Sequence, residues 1–348
     1  MDVRINGAWL TVNRACNFRC PWCYALGSKF KPEDNMSFEE ACVLIDFIHS
    51  LGVKNIILIG GETLFWKHLF ETATYIKSLG MGSTVVTNGW LLGNPRFREK
   101  VATSDITGIG ISLKAGNREQ NMRLTKYDGF DRVQAGIRAT KDWKHIRVET
   151  STVMTTETLG NIDEIVRVAF ENGSPYINIQ MCGPVVAGGK VDGQYMPDPF
   201  EIVRVITEKY EVINAITGGN FSLEQQLPSC IWPPDFLAML EERKQAYHGC
   251  HFRTRSGILF DRYGQVIACN HLYDYPLGKF GVDFTDVESF QQFWMQAPLV
   301  AFYDKMLSYP SKSCVTCQTF GVCGGGCPLQ WLVREPKNVI PMKGGSNG

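Results

Sequence analysis

Apolar positions along the chain fall into short blocks that alternate between strand-like and helix-like spacing. Residues 7–13 read as a first strand that ends just before a cysteine-containing loop. Ser37-Phe-Glu-Glu40 is a capping box, with Ser37 as N-cap and Glu40 reaching back. It opens an amphipathic helix to about residue 50, closed by Gly52. Residues 55–59 form a nearly continuous apolar run, as expected of a parallel strand covered on both faces. A helix is predicted from about 64 to 79, a third strand over 83–86 and a short helix over 96–102. The fourth strand is placed at 109–113 with a helix near 130–141, the fifth at 146–154 with a helix over 161–172, and the sixth at 176–181.

Six β-then-α units with short connections imply parallel strands joined by right-handed crossovers. The fold class is therefore α/β, an open, partial (β/α)6 version of the TIM-type barrel. In such barrels the reactive groups sit at the C-terminal ends of the strands. The cysteine loop follows strand one, Gly60-Gly61-Glu62 follows strand two and Thr87-Asn88-Gly89 follows strand three. Ser112-Leu-Lys114 ends strand four and Cys182-Gly183-Pro184 ends strand six, so all of these are expected on one rim. Past residue 220 the rhythm is expected to stop. Gly218-Gly219, Pro228 and Pro233-Pro234 mark a boundary, giving a barrel over 1–220 and a cysteine-rich module over 221–348. Within that module Asp261-Arg-Tyr-Gly264 reads as a hairpin turn that brings Cys250 and Cys269 together.

Composition narrows the class. Lys+Arg and Asp+Glu are both 35, which argues against a non-specific polyanion binder, so no nucleic-acid partner is expected. The first residues lack a signal peptide's basic start and long apolar core, and no apolar run spans a bilayer. A cytoplasmic chain with no membrane partner is expected. Twelve cysteines in a reducing compartment point to metal or redox chemistry rather than a disulfide framework. The glycine-rich tail from Lys343 reads as a flexible segment.

Cys16, Cys20 and Cys23 are spaced Cys-x3-Cys-x2-Cys, with the aromatic Tyr24 next. Three thiolates can hold a cubane iron–sulfur cluster while leaving one iron without a protein ligand. A zinc site is the bland alternative; it wants four ligands, and no nearby His or Cys supplies the fourth. This run resembles the cluster motif of the radical S-adenosylmethionine (radical SAM) enzymes. The resemblance implies a 4Fe-4S cluster whose open iron chelates S-adenosylmethionine and cleaves it to a 5′-deoxyadenosyl radical. It also implies cofactor contacts from Gly60, Gly61 and Glu62, similar to the family's Gly-Gly-Glu motif, and from Asn88 and Ser112. Two glycines let backbone approach a ligand, and a carboxylate suits the ammonium of the methionyl group. Thr63 stands where the family often has Pro.

Cys250 and Cys269, then Cys314-x2-Cys317-x5-Cys323-x3-Cys327, resemble the SPASM auxiliary-cluster domain appended to many such enzymes. Its final, seventh cysteine is missing here. The resemblance implies a first auxiliary cluster on Cys250, Cys269 and Cys327, for which upstream Cys230 is the expected fourth ligand. A second would sit on Cys314, Cys317 and Cys323 with an unassigned fourth; a zinc knuckle is the alternative. The implied function is modification of a ribosomally made precursor peptide, by cross-linking, epimerisation or dehydrogenation, or else chemistry on a sugar, nucleoside or amino acid. An electron donor such as flavodoxin or ferredoxin is implied. Because the chain starts at the first strand, a peptide substrate is expected to need a separate leader-recognition protein, or to dock its leader elsewhere. Lys114 replaces the acid that sulfatase-maturing relatives commonly show, and is a candidate to hold a substrate carboxylate. Cys182 is a candidate hydrogen-atom donor, with a small buried residue as its alternative. Cys42 is expected in the core.

Overall fold

The computed structural model describes residues 4–26, 31, 34–224 and 226–341; the tail from Lys343 lies outside them. Six parallel strands run side by side in chain order: β1 (Gly7–Thr11), β2 (Asn55–Ile59), β3 (Gly82–Thr87), β4 (Gly108–Ser112), β5 (Arg147–Met154) and β6 (Ile177–Met181). Helices α1 (Phe38–Ser50), α2 (Leu69–Ser78), α3 (Pro95–Ala102), α4 (Arg118–Thr125), α5 (Phe130–Thr140) and α6 (Ile162–Glu171) lie in the crossovers. The Ser37 capping box at the start of α1 forms as predicted, with both reciprocal hydrogen bonds made. Ile56, Leu58, Val85, Ile109 and Ile111 are fully buried, the core expected between a parallel sheet and its helices.

The β-then-α rhythm does not stop at residue 220. A hairpin of β7 (Val185–Ala187) and β8 (Lys190–Asp192) leads to the long helix α7 (Pro199–Thr217), and β9 (Phe221–Glu224) then pairs parallel with β6. Helix α8 (Pro234–Glu242) crosses back to β10 (Ala246–Tyr247), parallel to β9. At the other edge, after the single turn α9 (His251–Thr254), β11 (Gly257–Phe260) pairs parallel with β1. β12 (Gln265–Ile267) and β13 (Gly278–Lys279) add antiparallel strands outside it, for an open eleven-stranded sheet. The expected hairpin is the β11–β12 turn, where Gly264 has φ +72°, in the left-handed region that favours glycine. Beyond it, α10 (Val287–Trp294) and α11 (Ala297–Met306) pack an aromatic cluster around Phe284, Phe290 and Trp294 against Phe47 of α1.

The sheet therefore runs through the position at which a boundary was expected. Strands of four and two residues carry too little periodicity to be read from sequence, and they are held by their places at the edge of the large sheet. Cys42 is half-buried beside Asp46 and Glu39 rather than on the core face of α1. Among the described residues no helix is long and apolar enough to cross a membrane.

Candidate active site

The cysteine loop is fastened before its first thiol. Asn13 Nδ2 donates to Glu62 O (2.8 Å), Gly61 N donates to Asn13 Oδ1 (3.2 Å), and Glu62 N donates to Ala15 O (2.7 Å). A Cβ on Gly60 would lie 2.1 Å from Asn13 Oδ1, and one on Gly61 would lie 2.4 Å from Arg14 O. The two glycines make room for the cysteine loop itself, beside the expected close approach to a ligand. Glu62 is held by its own neighbours. Its carboxylate is buried and accepts from Thr87 Oγ1 (2.5 Å), Leu64 N (3.1 Å) and Asn88 N (2.7 Å). Those bonds tie the end of β2 to the end of β3, so the side chain is a brace rather than a free partner for an ammonium group. Burial pushes its carboxyl upward against those three bonds.

Cys16, Cys20 and Cys23 are electrostatic neighbours. Burial pushes the Cys16 thiol up to about 12, against a bond from Phe18 N to its sulfur (3.3 Å). Burial likewise pushes Cys20 up to about 11, and the Lys114 charge pulls it back. Asn88 Nδ2 donates to Asn17 Oδ1 (2.8 Å) and stands 3.8 Å from Cys16 Sγ. Ser112 Oγ pairs with Ser151 Oγ at 3.3 Å.

A cavity of about 440 Å³ opens at this rim. Its lining includes the three loop cysteines, Gly60, Gly61, Asn88, Ser112, Lys114 and Cys182, but not Glu62. The rim prediction thus brings nearly all of its residues together. Burial pushes the Cys182 thiol up to about 12.

The cavity also reaches the second half of the chain. β9 ends at Glu224 and β10 at Tyr247, so the strand-end rule carries on to Glu224 and Cys250. Cys250, Cys269 and Cys327 are mutual electrostatic neighbours, and all three line the cavity. Buried Glu224 stands beside Cys250 and Cys269. His271 also lines the cavity; burial lowers its pKa, and its Nδ1 donates to Pro184 O (2.6 Å), leaving Nε2 as an acceptor.

Cys314, Cys317 and Cys323 form a separate group on the short helices α12 (Lys312–Val315) and α13 (Phe320–Cys323) and the turn between them. Cys230 belongs here. Its electrostatic neighbours are Cys323, Cys314 and Cys317, and the adjacent Ser229 N donates to Cys323 Sγ at 3.2 Å. The expected grouping of Cys230 with Cys250, Cys269 and Cys327 is thereby corrected. The cause is the path of the chain after β9. Cys327 N and Gln330 Nε2 both donate to Gln226 O, at 2.7 and 3.2 Å. The segment thus meets the cysteine-rich loop at Cys327 and has passed on to Cys323 by residue 229. Among the described residues no three His, Cys, Asp or Glu side chains converge as ligands of one ion. A cubane spreads its ligands over several irons, so its thiols need not converge in that way.

Residues 10–169 match the family model described as the Radical SAM superfamily. The chain carries a radical SAM domain. Among curated relatives it is 28% identical to a "Probable GTP 3′,8-cyclase" of Saccharolobus islandicus over 223 residues, 63% of this chain and 70% of the relative. It is 29% identical to the protein of that name in Saccharolobus solfataricus, over the same shares. Among solved structures, Streptococcus suis SuiB bound to precursor peptide SuiA superposes with a TM-score of 0.70 at 18% identity, over 96% of this chain and 74% of that one. Native anSMEcpe with bound AdoMet and Cp18Cys peptide gives 0.67 at 17%, over 92% and 88%. At these identities the structural likeness speaks to the fold.

The radical SAM domain works with S-adenosylmethionine and a 4Fe-4S cluster. The residues present fit that pair. Three thiols on one pinned loop open onto the cavity, and Asn178 Oδ1, on the cavity wall, is buried with no hydrogen-bond partner among the described residues. His251 Nδ1 pairs with Ser256 Oγ at 3.0 Å and its ring packs edge-on against Trp9.

Glu149, Asn178, Gln180, Glu224 and His271 were not foreseen as lining residues. The signal for two of them was in β6, which reads Ile-Asn-Ile-Gln-Met and is buried at every other position. An interior parallel strand covered on both faces is continuously apolar; one that alternates turns a polar face to a cavity.

Proposed function

We propose that this radical SAM enzyme modifies a ribosomally made precursor peptide, cross-linking, epimerising or dehydrogenating a residue after hydrogen abstraction. The observation that carries this reading is the charge of the cavity wall. Lys114 and Arg253 are its Lys and Arg side chains, and Glu149 and Glu224 its carboxylates. A peptide segment suits such a balanced wall, whereas a triphosphate carries several negative charges and calls for a surplus of cations. When bound, the cluster and S-adenosylmethionine supply the electron and the radical that abstracts hydrogen.

The chain's own residues do the rest. Asn13, Gly60 and Gly61 fix the cysteine loop against β2. Lys114 holds a substrate carboxylate at the rim. Cys182, kept as a neutral thiol by burial, retains the S–H needed to return a hydrogen atom to a substrate radical. Cys250, Cys269 and Cys327 would hold an auxiliary cluster on the wall of the same cavity, where an electron can leave the substrate. In this reading the SPASM-type module of residues 221–348 continues the barrel's own sheet through β9, β10 and β11. Flavodoxin or ferredoxin supplies electrons.

A second reading, chemistry on a nucleotide, is favoured by the curated relatives named as GTP 3′,8-cyclases. One experiment separates the two. The reduced enzyme is incubated without oxygen with S-adenosylmethionine and either GTP or a candidate precursor peptide, and products are read by mass spectrometry. A modified peptide alongside 5′-deoxyadenosine, with GTP unchanged, is expected. Conversion of GTP with the peptide untouched overturns the proposal.

A further inference from the structure

We infer that Cys230 is the fourth thiolate of an iron–sulfur cluster held by Cys314, Cys317 and Cys323, supplied from upstream of that set along the chain. The inference rests on the auxiliary-cluster reading above and deepens it.

Four observations converge. The Cys230 thiol has the other three as its electrostatic neighbours. Ser229 N donates to Cys323 Sγ at 3.2 Å, so backbone next to Cys230 already touches the set. Cys230 is exposed, whereas an unliganded cysteine is most often a buried packing residue. The turn that presents it is held at both ends. Ile231 N donates to Pro228 O (3.3 Å), Trp232 N donates to Ser229 O (3.2 Å), and Trp232 is buried against Phe236. The upstream segment is anchored by the bonds to Gln226 O already described. A rigid turn that offers one uncovered thiol to three others has the features of a ligand arm.

The two cysteine groups then differ in kind. Cys250, Cys269 and Cys327 line the cavity with three thiols, while the group containing Cys230 is absent from its lining. A cubane with four thiolates has no open iron, so this cluster passes electrons and binds no substrate. Arg253 lies between the groups, lining the cavity and donating to Val322 O at 2.9 Å.

The test uses the full chain with Cys16, Cys20 and Cys23 changed to alanine, which removes the radical-generating cluster. After anaerobic reconstitution this parent should hold about eight irons and show two reduced-state EPR signals. Cys317→Ala and Cys269→Ala, each added to the parent, identify which signal belongs to which group. Cys230→Ala is expected to remove or shift the signal that Cys317→Ala removes, and to leave the other intact. Cys230→Ser, with an oxygen ligand, should retain the iron while moving that signal, and Cys42→Ala should change neither. The inference is overturned if Cys230→Ala leaves both signals unchanged, or alters the signal assigned by Cys269→Ala. A parent with no iron would instead overturn the auxiliary-cluster reading together with this inference.

Discussion

Asp261 shows how much one buried side chain can fix. Its Oδ1 accepts from both Tyr263 N and Gln265 N at 2.8 Å, closing the β11–β12 turn, while Oδ2 is buried with no hydrogen-bond partner among the described residues. Burial raises its pKa to about 6 against those two bonds. The native state therefore takes up a proton that the unfolded chain, with an ordinary carboxyl, does not. Stability should fall as pH rises from about 4 to about 6 and then level off, by on the order of 1–3 kcal/mol. Asp261→Asn keeps the accepting oxygen and removes the charge. It should raise the denaturation midpoint at pH 8 and have little effect at pH 4; a loss of stability at pH 8 would contradict the account. At this scale the residue types at the site were readable and their partners were not. Gly60-Gly61-Glu62 is a local pattern, but the atoms that require it belong to Asn13, Arg14 and Ala15 on the preceding strand and loop, and to Thr87 and Asn88 on the next strand.

Among the elements, β6 carries the strongest unused signal. Asn178 and Gln180 line the cavity, whereas the buried Ile177 and Ile179 do not. With the unpartnered Asn178 Oδ1 left for the cofactor pair, Gln180 is expected to serve the substrate. Gln180→Leu is expected to leave 5′-deoxyadenosine formation within about twofold while lowering modified product by tenfold or more, the latter corresponding to about 1.4 kcal/mol. Equal loss of both products would place Gln180 in cofactor binding and contradict that role. The six strand–helix units were legible because each apolar run is long enough to show its period. Helix α4 escaped notice because only four of its eight residues are buried, and those include Gln120, Asn121 and Thr125. β9 and β10 escaped because they are short, and with them the continuation of the sheet that delivers Glu224 and the approach to Cys250.

In the whole molecule, the barrel and the cysteine-rich half are one structure around one cavity. Tyr24, just past the last loop cysteine, stacks on Tyr273 with ring centres 5.7 Å apart, and Tyr273 OH meets Thr11 Oγ1 at 2.9 Å. Arg14 lies over the same ring at 4.5 Å. The loop that bears Cys16, Cys20 and Cys23 is thus seated on the segment that follows Cys269. The resemblance to the SPASM pattern gathered Cys250, Cys269 and Cys327; Cys230, expected with them, stands beside Cys323, Cys314 and Cys317 instead, because the order of cysteines in sequence does not say which way the chain turns after β9. The central claim is that three groups of thiols each hold an iron–sulfur cluster, two of them facing the same cavity. Iron and zinc per chain, measured on the full-length protein reconstituted without oxygen, test this most directly. About twelve irons and no zinc are predicted. About four irons with zinc present would contradict it, leaving the later cysteines as a structural metal site and the cavity with a single cluster.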